Sequence, residues 1–242
     1  MSSTLINDPR IRGVRIEKKR QAVQAWLAVH TWSTAEVLGE VMGITSRQAV
    51  HQTLAAMIRD GLMRRAEVQT SYGRAVLVFG FTPHGAAMAV SPGVSPAKSL
   101  EPSKINVNSI EHELDVQRLH LLAQRAGWKV WHLGGAEFSR SEAKYADAIG
   151  VRQDGQKVAI EVERTVKTIK RYGEILVAHL AARKEGKWEW IYYLSPSAAV
   201  RDRVWGMFAV IHRATWRGQV IEITDAHRAP FKFFAYSDDW TT

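Results

Sequence analysis

The stretch Ser91–Ser103, SPGVSPAKSLEPS, constrains this chain more than any other feature. It holds three of the seven prolines in 242 residues, few apolar side chains and no periodicity, so it reads as a semi-extended linker. A chain broken there has to fold on either side of the break. The expected division is residues 1–90, a linker at 91–106, and residues 107–242. No internal repeat or low-complexity tract competes with it.

The first part is mostly helical in pattern. Ile16–His30 repeats apolar residues at helical spacing through Val23, Trp26, Leu27 and His30. Ser33-Thr34-Ala35-Glu36 reads as a capping box opening a short helix that buries Val37, Leu38 and Val41 and stops near Gly43. Thr45-Ser46-Arg47-Gln48 reads as a second, opening a helix with Val50, Leu54, Met57 and Ile58 on one side and ending at Asp60-Gly61. Leu62–Gln69 and Ala75–Phe81 read as strands around a hairpin tip, Ser71-Tyr72-Gly73-Arg74. Thr82-Pro83 caps a last short helix.

Three helices and a hairpin in this order, ending in Gly80-Phe81-Thr82-Pro83-His84-Gly85, resemble the winged helix-turn-helix superfamily over about residues 16–90. With Val50, Leu54 and Met57 turned inward, Arg47, Gln48, His51 and Gln52 project from the first turns of the third helix. Those residue types reach base edges or phosphates when a helix N-terminus enters the major groove. Arg74 at the wing tip, with Arg64 and Arg65 on the strand before it, extends this candidate DNA-binding set to the backbone or minor groove. The alternative is a solvated helix face in a winged helix that docks protein.

Charge bears on the choice. The net charge is +9, of which residues 1–100 carry +6 and the remainder +3. A basic protein attracts polyanions by counterion release, and this joins the helix and hairpin residues in making double-stranded DNA the expected partner, although charge alone fits a merely soluble basic surface as well. No apolar run approaches the roughly 20 residues of a membrane span, and the N-terminus lacks a signal-like apolar core. There is no cysteine, which excludes disulfides and thiolate metal sites. A cytoplasmic protein with no membrane partner is expected.

Beyond the linker, helical and strand patterns alternate. Asn108–Arg125 is a helix with Leu114, Leu119, Leu121 and Leu122 on a broad apolar face. Strands follow at Trp128–Leu133, Ala146–Val151 and Lys157–Arg164, with a polar loop at Gly134–Tyr145 and a turn at Gln153-Asp154-Gly155-Gln156. Thr165 is expected to cap a long basic helix to about Lys184. Trp188–Ser195 is a buried strand, then come a helix at Ser197–Arg213 and a strand at Gly218–Ile223. The α-β-β-β-α-β order predicts an α/β sandwich with a mixed central sheet.

Asp147 in the second of these strands and Glu161 and Glu163 in the third are the chemical signal. Alternation puts Glu161 and Glu163 on one face, and the hairpin brings Asp147 beside them. Three converging carboxylates are costly unless neutralised, and a hard cation such as Mg²⁺ or Mn²⁺ would do it, polarising a phosphate and acidifying a bound water. Glu113 on the preceding helix, next to His112, is a further candidate ligand. Lys167 and Lys170 are candidates to orient the attacking water or stabilise the phosphorane, with Lys170 preferred. The competing reading is an exposed edge hairpin whose glutamates pair with Lys167, Lys170 and Arg171.

Helix, strands and acids together resemble the PD-(D/E)XK nuclease core, with Ala146 where that family has proline and Glu163 where its motif lysine stands. More specifically, His112/Leu114/Val116, Asp147-Ala148-Ile149, Glu161-Val162-Glu163-Arg164-Thr165 and Lys170-Arg171-Tyr172 look like the replication-relaxation family and the MobC-class plasmid mobilisation relaxases. The resemblance covers nearly the whole chain. It implies metal-dependent nicking of a plasmid transfer origin, with a relaxosome accessory protein and a conjugative coupling protein as partners. A homodimer stays open, as does a degenerate nuclease fold that binds DNA without cutting it. None of the nine histidines forms a His-x-His pair, so the commoner relaxase mechanism is disfavoured. Tyr172 is expected to be a packed tyrosine, and Trp188, Trp190, Tyr192 and Tyr193 core residues rather than a base-stacking strip.

Overall fold

The computed structural model describes residues 8–89, 97–134 and 146–242, and these form a mixed α/β protein. The first seven residues, residues 90–96 of the expected linker and residues 135–145 of the expected polar loop lie outside the described set. The chain divides into two units, Met1–Gln117 and Arg118–Thr242. The division falls inside a helix, Ile110–Arg125, and not at the proline-rich stretch.

In the first unit, helix α1 spans Pro9–His30, strand β1 Trp32–Thr34, α2 Ala35–Val41 and α3 Arg47–Arg59. Strands β2, Met63–Gln69, and β3, Ala75–Phe81, follow, then α4, Pro83–Met88. Helix α1 begins seven residues before the expected Ile16, because Asp8 caps it and Pro9 supplies a preset φ at its first position. The real caps of α2 and α3 are Thr34 and Ser46, one residue later than each box suggests.

Ser33 is spent elsewhere. It is buried in β1, which pairs antiparallel with β3, and its hydroxyl donates to Gln117 Oε1 at 2.6 Å. Gln117, itself buried, donates to Trp32 O at 2.9 Å. Two polar side chains thereby satisfy each other, which makes their burial affordable. Val23, Leu27, Val37, Leu38, Leu54 and Met57 form the core against the sheet β1-β3-β2. Gly73, at φ 75°, turns the β2–β3 hairpin.

The described end of the proline-rich stretch is anchored at one residue. Leu100 is buried, its N–H donates to Phe81 O at 2.8 Å, and its side chain lies where a Cβ on Gly80 would be only 2.7 Å from it. One apolar residue in a polar stretch thus pins the chain to the C-terminal end of β3 before it enters the next helix.

The second unit is built on a five-stranded sheet, with α5 (Ile110–Arg125) straddling the division. Its strands are β4, Val130–Leu133, β5, Ala148–Val151, β6, Lys157–Val162, β7, Trp190–Ser195, and β10, Phe231–Ala235, in the order β10-β7-β6-β5-β4. The first three are antiparallel, whereas β6, β7 and β10 run parallel. Helix α6 (Ile169–Lys184) crosses from β6 to β7 and α7 (Ala198–Ala209) follows β7. A two-stranded ribbon, β8 (Arg213–Trp216) and β9 (Gln219–Glu222), and a short α8 (Asp225–Arg228) precede β10.

Helix α6 starts at Ile169, not after Thr165, because Thr168 is its cap and accepts from Arg171 N at 3.3 Å. Alternation gives the sheet two apolar faces. Ile149, Ala159, Ile191, Tyr193 and Phe231 pack with Tyr172, Leu176 and Phe208 of α6 and α7. On the other face Trp128 meets Trp131, Tyr192 and Trp240 edge-on or tilted, with centroids 5.6–6.5 Å apart.

Candidate functional site

Two sets of side chains are the candidates, one in each unit. In the first, α3 buries Val50, Leu54 and Met57, and this fixes its rotation. Arg47, Gln48, His51 and Gln52 then stand exposed together over its first two turns. Arg64 and Arg65 on β2 and Arg74 at the hairpin tip are exposed as well. Among the described residues none of these four arginines is in an ion pair, so their charge is available to an outside anion. All seven sequence-selected residues of this set are therefore solvent-facing.

In the second unit, Asp147 precedes β5 and Glu161 lies in β6, while Glu163 follows the last residue of that strand. Glu161 pairs in register with Tyr193 on β7, and its carboxylate lies on the sheet face covered by α6. It is buried, and its Oε1 is 2.9 Å from Nε2 of His179, which is buried too. Glu163, also buried, is paired with Lys167 in the loop before α6. Asp147 Oδ2 accepts from the Val162 N–H at 2.7 Å.

The charges of all three acids act on one hydroxyl. Burial pushes the Tyr193 hydroxyl well above its ordinary value, and the charges of Glu161, Glu163 and Asp147 push it the same way. That hydroxyl is buried with no hydrogen-bond partner among the described residues. Tyr172 closes the group: its hydroxyl accepts from Lys167 N at 3.1 Å, and burial and Glu163 raise its pKa. Tyr172 is fully buried, as a packed tyrosine should be.

All three charges thus act on one hydroxyl, but among the described residues they form no ready cation seat. A divalent ion needs carboxylate oxygens directed at one point. Among the described residues no three His, Asp or Glu side chains are placed to hold one. Glu161 faces His179, Glu163 faces Lys167 and Asp147 faces a backbone amide, so the acids as arranged do not fit Mg²⁺ or Mn²⁺. Glu113 belongs to the first unit, where its Oε1 accepts from Ser109 Oγ at 2.7 Å. Of the two candidate lysines, Lys167 meets the acids, whereas Lys170, exposed on the first turn of α6, has no ion-pair partner among the described residues.

His179 is the central residue that sequence reasoning missed. The signal was available: Tyr172, Ile175, Leu176 and His179 form an i, i+3, i+4, i+7 stripe, all buried. A histidine in such a stripe needs a buried polar partner, and an acid on the strand beneath is the natural one. Trp188, Tyr192 and Tyr193 are buried, while half-buried Trp190 donates to Gln156 Oε1 at 2.8 Å, so this run is core and not a stacking strip. Among the described residues no helix is long and apolar enough to cross a membrane. No family model, curated protein or solved structure matches this chain.

Proposed function

We propose that this protein is a sequence-directed binder of double-stranded DNA, with a winged helix as its first unit and a PD-(D/E)XK-like fold as its second. In this reading it serves plasmid mobilisation or replication, in the manner of the replication-relaxation and MobC-class proteins it resembles. The observation that carries the binding role is the exposed quartet Arg47, Gln48, His51 and Gln52, aligned on α3 by the burial of Val50, Leu54 and Met57. Side chains of this kind, placed at the start of a helix, hydrogen-bond purine edges and phosphates in the major groove. The hairpin arginines add backbone contacts that fix register without reading sequence. The assignment to a plasmid transfer origin, and to a relaxosome and coupling protein, rests on the resemblance alone.

Selection of bound duplexes from a randomised pool tests this directly. A consensus should emerge with the wild type and be lost with Arg47→Ala plus Gln48→Ala, while folding is unchanged. Recovery of no consensus would leave a non-specific polyanion binder.

A second reading, DNA nicking, is favoured by one observation: the charges of three acids all act on the buried, unpartnered Tyr193 hydroxyl. It requires the carboxylates to leave their present partners. Incubating supercoiled plasmid carrying the selected site with Mg²⁺ or Mn²⁺ decides it. Relaxed product from wild type and none from Glu161→Gln would establish cutting; no product from either leaves the binding role alone.

A further inference from the structure

The surface of the last turns of α6 carries a second feature, beyond Lys170-Arg171-Tyr172 on the same helix. A groove of about 520 Å³ runs between α6 and the β8–β9 ribbon, within the range that holds small ligands. Its floor is Val177, Leu180 and Ala181 of α6 with Trp216 and Ile221 of the ribbon, and its rim carries Arg183, Lys184 and His227. Among the described residues no acidic side chain lines it.

The acids nearby in sequence are already used. Glu222 pairs with Arg213 at 3.7 Å, Asp225 with Arg228 at 3.0 Å and Glu185 with Lys187 at 3.0 Å. Lys184 has no ion-pair partner among the described residues. The Arg183 Nε donates to Glu189 O at 2.9 Å, which anchors the guanidinium at the rim with its terminal nitrogens unassigned. At the ribbon turn Arg217 stands 5.5 Å over the Trp216 ring. That turn holds Arg217 at φ 49° and Gly218 at φ 82°, a left-handed pair that a two-residue hairpin turn requires.

An indole with a guanidinium over it, an apolar floor and adjacent unneutralised cations match the surface of one unstacked nucleotide. The flat base lies against Trp216 and the floor, and the phosphates meet Arg183 and Lys184. The geometry points to a subsite for a single DNA strand in this groove. It rests on the nucleic-acid reading above and adds to it a second form of DNA, held by the other unit.

Fluorescence anisotropy with the full chain separates the two. The probes are a labelled short oligothymidylate, a duplex carrying the selected site, and unlabelled thymidine monophosphate as competitor. Trp216→Ala should weaken oligothymidylate binding about tenfold, the loss of one base stack, and leave the duplex within twofold. Lys184→Glu, on the surface and harmless to folding, should weaken it as well and lower the salt slope by about 0.7, one phosphate's share. Trp216→Phe should restore most of the loss.

If the wild type binds duplex but not oligothymidylate, or if Lys184→Glu and Trp216→Phe leave it unaffected, the subsite is overturned and the duplex role stands. If oligothymidylate binding depends on Trp216 while no duplex is recognised, the subsite stands and the duplex role falls. Competition by the monophosphate as strong as by the strand would make this a small-molecule pocket and overturn the strand assignment.

Discussion

The two units handle charge in opposite ways. Arg47, Arg64, Arg65 and Arg74 of the first are exposed and without ion-pair partners among the described residues. Glu161 and Glu163 of the second are buried, Glu161 hydrogen-bonded to His179 and Glu163 paired with Lys167, both of its own unit. The cost of desolvation explains the contrast. An exposed cation stays hydrated until a ligand replaces its water, whereas a buried acid must be paired within the fold. Availability to a ligand therefore differs between the units, even though both looked like ligand sites in sequence.

The largest effect that sharpens this contrast is at Glu161. Replacement by alanine leaves the Nε2 of buried His179 without its hydrogen-bond partner, and orphaning a buried polar group in this way costs up to about 3 kcal/mol. Glu161→Gln keeps a hydrogen-bonding group in place and should cost less than half as much. Chemical denaturation of the two variants measures both. If Glu161→Ala proves as stable as the wild type, the acid is held open for something other than His179, and the units are alike after all.

Acid should act on the second unit through His120, whose ring stacks on Trp131 at a centroid distance of 5.0 Å. Burial lowers its pKa from 6.5 to about 4. The unfolded chain binds the proton near pH 6.5 and the folded one only near pH 4, so the stability it contributes is complete above the upper value and lost as pH falls to the lower. The window carries roughly 3 kcal/mol. Replacing His120 with phenylalanine should flatten stability against pH between those limits. An unchanged profile would show that other groups govern the acid response.

The first unit should respond in binding and not in stability. Arg47→Ala removes a solvent-facing side chain and should move stability by less than about 0.5 kcal/mol. Duplex affinity should fall about tenfold at fixed salt, as expected for one lost base contact. A variant that binds normally would shift the contact to the hairpin arginines.

The part of this contrast that was legible in sequence is local. Helix α3 and hairpin β2–β3 were readable because apolar spacing, Ser46 and the Gly73 turn all act within a few residues. The acids were readable as a group, since strand alternation and one tight turn suffice to bring them together. Their partners were not. His179 reaches Glu161 only after α6 crosses back over the sheet, and β10 joins β7 as a parallel neighbour only after two intervening helices and a ribbon. The short β1 escaped notice because Ser33 resembles a helix cap and becomes one half of a buried pair with Gln117. Pairings made late in the chain are written in no single window of it.

The smallest expected effect tests the finest distinction, that between Lys167 and Lys170. Both were candidates for the same role, three residues apart. The structure sets Lys167 in the loop before α6 against Glu163 and leaves Lys170 in solvent. The Lys167 side chain is 39% exposed, so screening discounts the pair to about 1 kcal/mol. Lys167→Met should lose about that much in a denaturation midpoint, and Lys170→Met should lose nothing measurable. Adding Glu163→Gln to Lys167→Met should restore part of the loss, because a neutral amide no longer needs the cation. Equal effects at the two lysines would mean that Glu163 is not held by its own fold, and the acids of the second unit would then be as available as the arginines of the first.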